Sequence, residues 1–325
     1  MYTKEDYVKM TYVLLLAGFI LLIKGADFFV DGSSSVARIL RIPSVIIGLT
    51  IVAFGTSMPE ASVSVTAALK GANELALSNV IGSNIFNLLV VTGVCAVIRP
   101  MAVTQSVMKK EFPFSILITA ALLLMCMDQV FFGADSAVIS KLNGLVLLLL
   151  FIVFLASTIR DSLKSRRESA EDDSPKTMSP LASILYILAG LAGIVLGGNL
   201  VVDSASEIAR SFGLSQTFIG LTIVALGTSL PELVTSIVAA HKGENDIALG
   251  NVVGSNIFNI LLILGASSAL NPVLVSQDSV WDILILIASS ILVYVFCLTK
   301  KTLNRVEGFI MLLAYAGFFA FITLR

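Results

Sequence analysis

The stretch GLTIVAFGTSMPE, from Gly48 to Glu60, recurs as GLTIVALGTSLPE, from Gly220 to Glu232. A second stretch, NVIGSNIFN from Asn79 to Asn87, recurs as NVVGSNIFN from Asn251 to Asn259. The same 172 residues separate Glu60 from Glu232 and Asn87 from Asn259, and the correspondence extends outward to Asp31 with Asp203 and Pro100 with Pro272. Self-similarity at one fixed offset marks a duplication. The two halves therefore build the same unit.

What that unit dissolves in follows from composition. Of 325 residues 57% are hydrophobic and only 13% charged, and the mean hydropathy is +0.96, whereas a soluble domain carries about a quarter charged residues. Apolar runs of about 20 residues, long enough to cross a hydrocarbon core as helix, recur along the whole chain. We read ten: Tyr12 to Val30, Ser44 to Leu69, Leu75 to Ile98, Phe112 to Met127, Ala137 to Ile159, Leu181 to Val202, Gln216 to Ala240, Ile247 to Leu270, Val280 to Leu298 and Val306 to Leu324. They are continuously apolar rather than alternating, which excludes barrel strands. The first run lacks a small-residue cleavage site and reads as a span. Cys95, Cys126 and Cys297 stand singly in apolar runs and are expected to be buried small hydrophobes. A net charge of −1 argues against a nucleic-acid partner, and a lipid bilayer is the expected surrounding.

Five spans per half is an odd number, so the second copy must enter the membrane from the opposite side. The expected fold is all-α and integral to the membrane: ten helices in two inverted five-helix repeats, residues 1–160 and 181–325. The joint, 161–180, is polar and reads as a mobile linker. Lys and Arg accumulate in cytoplasmic loops. Fourteen of the 21 fall on the side of that joint and six on the other, with Lys24 inside the first span. The expectation is a plasma-membrane protein with both termini external and the central loop cytoplasmic. Inverted repeats with interrupted helices are built by secondary transporters, whose sites lie near the midplane between repeats.

The interruption is legible in GTSMPE and GTSLPE. Proline lacks an N–H and clashes with the carbonyl four residues back, so Pro59 and Pro231 should kink their helices and free backbone oxygens near Thr56 and Thr228. Ser57 and Glu60, like Ser229 and Glu232, also fit a capping box at a restarting helix. A cap returns about 1 kcal/mol, while a carboxylate at mid-membrane costs about 2.5–3.5 kcal/mol even on a lenient scale. Two such acids at equivalent positions therefore point to an ion site. Two carboxylates with hydroxyls and carbonyls suit Ca²⁺, which takes six to eight oxygens in flexible geometry; a soft metal would want His or Cys. Ser83 with Asn87, and Ser255 with Asn259, lie four apart on one helical face and could supply neutral oxygens for Na⁺. The competing explanation is close helix packing at small residues, which Gly82 and Gly254 fit.

These paired segments resemble the alpha-repeats of the cation/Ca²⁺ exchanger superfamily, specifically its sodium/calcium exchanger branch in its prokaryotic form, and the resemblance covers nearly the whole chain. It implies that Glu60 and Glu232 with the Thr56 and Thr228 carbonyls hold Ca²⁺. It also implies that Ser57, Ser229, Ser83, Ser255 and the Ala53 and Ala225 carbonyls help form overlapping Na⁺ sites. Asn87 and Asn259 match an inner position that is Asp in one repeat of some members, so a third carboxylate is missing here. The linker has no counterpart of a calcium-sensing domain. The implied activity is electrogenic Na⁺/Ca²⁺ antiport by alternating access, with the two ions as substrates, no cofactor, and a monomer as the working unit. A Ca²⁺/H⁺ antiporter on the same fold is the rival, with a Ca²⁺ channel or an intramembrane enzyme behind it. No His stands near the membrane serines, which disfavours a hydrolase. Lys24 and Asp27 are expected to pair with each other, and His241 to lie in a solvated loop.

Overall fold

A computed structural model describes residues 4–127, 137–168, 178–214, 219 and 223–324. The described chain is mostly helical. The first helix, α1 (Lys4–Leu40), is followed by a broken one: α2 (Ser44–Ile47), a π turn over Gly48–Val52, α3 (Ala53–Thr56), then α4 (Met58–Leu69). Next come α5 (Asn73–Phe86), a π turn over Asn87–Val91 and α6 (Thr92–Ile98). The strand β1 (Met101–Ala102) leads to a π turn over Val107–Glu111, α7 (Phe112–Met125), β2 (Val138–Ile139) and α8 (Lys141–Glu168). The second half contributes α9 (Pro180–Ser211), α10 (Ala225–Thr228), α11 (Leu230–Lys242), α12 (Asn245–Phe258), a π turn over Asn259–Leu264 and α13 (Gly265–Leu270). It ends with β3 (Val273–Leu274), α14 (Gln277–Lys300), β4 (Thr302–Leu303) and α15 (Arg305–Leu324).

Among the described residues, seven helical segments are each long and apolar enough to cross a membrane, and the bent pair Ser44–Thr56 with Met58–Leu69, at 51°, makes an eighth if it is one span. Helix α7 covers the fourth predicted span with 14 residues. Residues 216–218 and 220–222 of the seventh predicted span, and 169–177 of the predicted linker, lie outside the described residues. Helical backbone outlasts the apolar runs at several ends. Helix α1 continues through the polar residues after Val30 to Leu40, where Arg41 at φ 53° turns the chain ahead of Pro43. Helix α8 carries on to Glu168, so the start of the supposed linker is helical. His241 sits in the last turn of α11, which a left-handed Gly243 closes at φ 82°, rather than in a loop.

Burial separates the centre from the periphery. The segment Asn245–Leu270 has 94% of its apolar window buried and Glu74–Ile98 has 72%, against 17–33% for the other five long spans. The two NxxGSNIFN helices are thus the core. Leu, Ile and Phe on α1, α8, α9, α14 and α15 face outward, as lipid-contacting residues do. The three cysteines are buried. Across the centre α1 and α9 cross backbone to backbone: a Cβ on Gly190 would stand 2.5 Å from the Phe29 nitrogen, and one on Gly25 2.6 Å from that of Ile194. Two antiparallel strand pairs link the halves reciprocally. The strand after the third span of each half, β1 or β3, pairs with the strand before the other half's last helix, β4 or β2.

Candidate functional site

Each broken helix restarts at a serine, Ser57 or Ser229, with Pro59 or Pro231 in the first turn that follows, where a missing N–H leaves no bond unmade. Neither serine caps its own helix through its side chain. The capping-box alternative is therefore not realised, and the hydroxyls go elsewhere. Ser57 Oγ donates to Glu232 Oε1 at 2.9 Å, and Ser229 Oγ donates to Glu60 Oε1 at 2.9 Å. The two carboxylates are both 0% exposed, and each is held by the serine of the opposite half.

The remaining predicted residues gather around them. Ser255 Oγ donates to Glu232 Oε1 at 3.5 Å, and Ser229 Oγ lies 3.2 Å from Ser83 Oγ. Thr56 Oγ1 reaches Asn251 Oδ1 at 3.0 Å. The Ala53 carbonyl accepts from the Ser57 amide at 3.0 Å, and the Ala225 carbonyl from the Thr228 hydroxyl at 3.2 Å. Asn87 Nδ2 donates to Asn256 Oδ1 at 3.2 Å and Asn259 Nδ2 to Asn84 Oδ1 at 2.9 Å. Both amide side chains are thereby oriented across the seam between halves.

Of the eleven buried side-chain oxygens without a hydrogen-bond partner among the described residues, four belong to predicted site residues: Glu60 Oε2, Glu232 Oε2, Asn87 Oδ1 and Asn259 Oδ1. They form two repeat-equivalent pairs. A buried unpartnered acceptor costs about 1–3 kcal/mol, more when charged, and a cation bound between Glu60 and Glu232 would remove that cost for the two carboxylates. Among the described residues no third acid, His or Cys joins the carboxylates. The donor set is hard oxygen throughout.

Sequence reading missed the braces behind these groups. Asn79 Nδ2 donates to Ser64 Oγ at 2.9 Å and to the Glu60 carbonyl at 3.4 Å; Asn251 Nδ2 does the same to Ser236 Oγ at 3.0 Å and the Glu232 carbonyl at 3.4 Å. Asn84 and Asn256 exchange bonds to each other's backbone, at 3.2 and 3.3 Å. The signal was present: all six residues recur at the repeat offset, and Ser64 and Ser236 stand one helical turn beyond the acids. Away from this centre, Lys24 does pair with Asp27 at 3.5 Å, but the shorter contacts come from Lys242, to Asp31 at 2.6 Å and to Asp27 at 3.0 Å. Burial pulls the Lys242 ammonium down, yet its bonds to Asp31 and Asp27 outweigh that and hold it above the ordinary lysine value.

A multi-pass helical membrane protein with a duplicated, proline-broken acidic centre is the class defined so far. The sequence profile of the family described as "Sodium/calcium exchanger protein" matches residues 10–160 and 182–324, and the chain belongs to that family, on its prokaryotic side. It is 41% identical over 310 residues to the putative antiporter CaxA of Alkalimonas amylolytica, covering 94% of this chain and 96% of that protein. It is 32% identical to the sodium/calcium exchanger MaX1 of Methanosarcina acetivorans, covering 96% and 98%. The solved structure of the sodium-calcium exchanger NCX_Mj soaked with 10 mM Na⁺ and zero Ca²⁺ superposes with a TM-score of 0.83 at 33% identity, over 98% of this chain and all of that one.

Proposed function

We propose that this protein is a Na⁺/Ca²⁺ antiporter in which Glu60 and Glu232 form one shared site, occupied in turn by Ca²⁺ or by several Na⁺. The observation that carries the reading is the set of four unpartnered buried oxygens on Glu60, Glu232, Asn87 and Asn259. A divalent cation balances the two carboxylates, and hard oxygens are the ligands Ca²⁺ and Na⁺ take. The hydroxyls of Ser57, Ser229, Ser83 and Ser255 and the backbone oxygens at Thr56, Thr228, Ala53 and Ala225 complete the coordination in this reading. The family membership and the exchangers named above support the choice of ions. The amide and hydroxyl oxygens favour Na⁺ over a proton as coupling ion, since a proton needs none of them.

The same reading includes ten membrane crossings in two inverted units, 1–160 and 181–325, joined by 161–180. Both termini are external, the linker is cytoplasmic, the membrane is the plasma membrane, and a monomer suffices. Reciprocal strand pairs between the halves support the pseudo-symmetry, and so does the grouping of contacts: Lys242 with Asp31 and Arg38 with Glu244 join loops assigned to one side. Asn271 donating to the Ala68 carbonyl at 3.2 Å joins loops assigned to the other. Transport proceeds by alternating access, and more than two Na⁺ per Ca²⁺ makes it electrogenic. Uptake of radiolabelled Ca²⁺ into Na⁺-loaded proteoliposomes, with pH gradients collapsed, tests the core of this. Uptake should vanish when Na⁺ is equal on both sides. Uptake that ignores Na⁺ and follows an imposed pH gradient would assign the protein to the proton-coupled rival.

A further inference from the structure

Repeat-equivalent residues sit in unequal surroundings. At the end of α11, Lys242 bonds Asp31 of α1 at 2.6 Å, and the two helices pack along each other. Their equivalents are Lys70, at the end of α4, and Asp203, in α9. Both are exposed, and among the described residues they form no ion pair. Between α4 and α9 lies a cavity of about 320 Å³ instead, lined by Pro59, Ser62 and Val63 on one wall and Gly198 and Asp203 on the other, and reaching Pro231.

The broken helices repeat the contrast. Ala53 and Thr56 are 0% exposed and Thr56 is bonded to Asn251, whereas Ala225 is exposed and Thr228 is half-buried. A Cβ added to Gly254 would meet Ala53 at 2.7 Å and Leu49 at 2.8 Å. One half is shut where the other is open, yet the sequences at these places are nearly the same. A duplicated chain can make the shut set of contacts in either half, and two such arrangements differ little in energy.

We propose that Lys70 and Asp203 are positioning residues of the transport cycle: they pair and close the cavity between α4 and α9 in the state in which Lys242 has released Asp31. This rests on the alternating-access reading above. The second ion pair of the shut side, Arg38 with Glu244 at 2.6 Å, has no counterpart, because Ala72 occupies the place equivalent to Glu244 and Arg210 pairs with Glu207 at 2.9 Å. Lys70 and Asp203 thus act without a charged companion, which makes the cycle sensitive to them.

The test uses the full chain in proteoliposomes. Lys70→Asp and Asp203→Lys should each slow Na⁺-driven Ca²⁺ uptake at saturating Ca²⁺ by about fivefold, the loss of one exposed ion pair in one state. The double reversal should return it to within about twofold. Melting temperatures should not move, since the pair is unformed in the structure described. A second measurement does not need ion coupling. With Cys95, Cys126 and Cys297 replaced by Ala, the combined Lys70→Cys and Asp203→Cys variant should accumulate an intramolecular product with a short bifunctional thiol reagent, and either single variant should not. Wild-type protein without Na⁺-driven uptake would sink the transport reading and leave the cross-link to decide the pair. Active wild type with unaffected single reversals, a double reversal as slow as the singles, or no cross-link would overturn the proposal alone.

Discussion

Glu60 and Glu232 are each gripped on one carboxylate oxygen by the other half's serine and left with the second oxygen unpartnered. Replacing either by Gln keeps the shape and the serine contact while removing a charge that must balance Ca²⁺. Glu60→Gln and Glu232→Gln should each lower Ca²⁺ uptake by at least about a hundredfold, two ion-site interactions of the charged kind, with helical content unchanged by circular dichroism. Retention of more than a tenth of wild-type uptake would remove the carboxylates from the site. The braces behind them should behave differently. Asn251→Ala strips partners from Ser236, the Glu232 carbonyl and Thr56 together, so it should cost about 1–3 kcal/mol of stability and raise the half-saturating Ca²⁺ concentration rather than abolish uptake. Depth in the membrane made the acids legible in the sequence, because a mid-bilayer charge demands a reason. The asparagines were not legible as braces, since a recurring amide reads the same whether it binds an ion or holds a neighbour in place.

At the scale of elements, hydropathy located the helices but not their ends. It reports which residues prefer lipid, whereas the hydrogen-bond ladder of α1 continues past Asp31 through the buried serines Ser33, Ser34 and Ser35. The π turns that follow Ile47, Phe86 and Phe258 carry no compositional mark, and the two-residue strands are too short to show a period. The glycine crossing of α1 and α9 was likewise invisible, because an apolar run containing glycine looks like any other span. Its importance is testable by contrast. Gly25→Leu and Gly190→Leu place atoms where backbone already stands and should destabilise by about 1–3 kcal/mol or more, lowering the detergent-solubilised melting temperature. Gly317→Leu, where nothing lies within 4 Å, should leave it unchanged; equal losses at all three positions would refute the close crossing.

For the whole molecule, the constant repeat offset made the duplication readable, and the loop charges suggested an orientation. Ser211→Cys, placed on the proposed external side, should react with an impermeant thiol reagent in intact cells, and Lys301→Cys should react only after permeabilisation; the reverse pattern would invert the topology. If more than two Na⁺ exchange for each Ca²⁺, each net charge moved couples to the membrane potential at about 2.3 kcal/mol per 100 mV. An inside-positive clamp should then change the rate of Na⁺/Ca²⁺ exchange, and a rate indifferent to potential would mean an electroneutral cycle. The halves match at Lys242 and Lys70 and at Asp31 and Asp203, which differ in pairing, and depart from one another where Glu244 is matched by Ala72 and Asp27 by Asn199.

The shut side holds three ion pairs between helices, Lys242 with Asp27, Lys242 with Asp31 and Arg38 with Glu244, and the equivalent places on the open side have charges for only one, Lys70 with Asp203. If access alternates as proposed, two surplus exposed pairs at about 0.2–1 kcal/mol each would tilt the empty carrier toward the present arrangement by about two- to thirtyfold. An ion arriving at the populated face finds its site ready, while one arriving at the other face binds only the minor fraction and so shows a proportionally weaker apparent affinity. The same chemical site would therefore have two effective affinities, one per side of the membrane, and raising the ionic strength, which screens exposed charges, should bring them together.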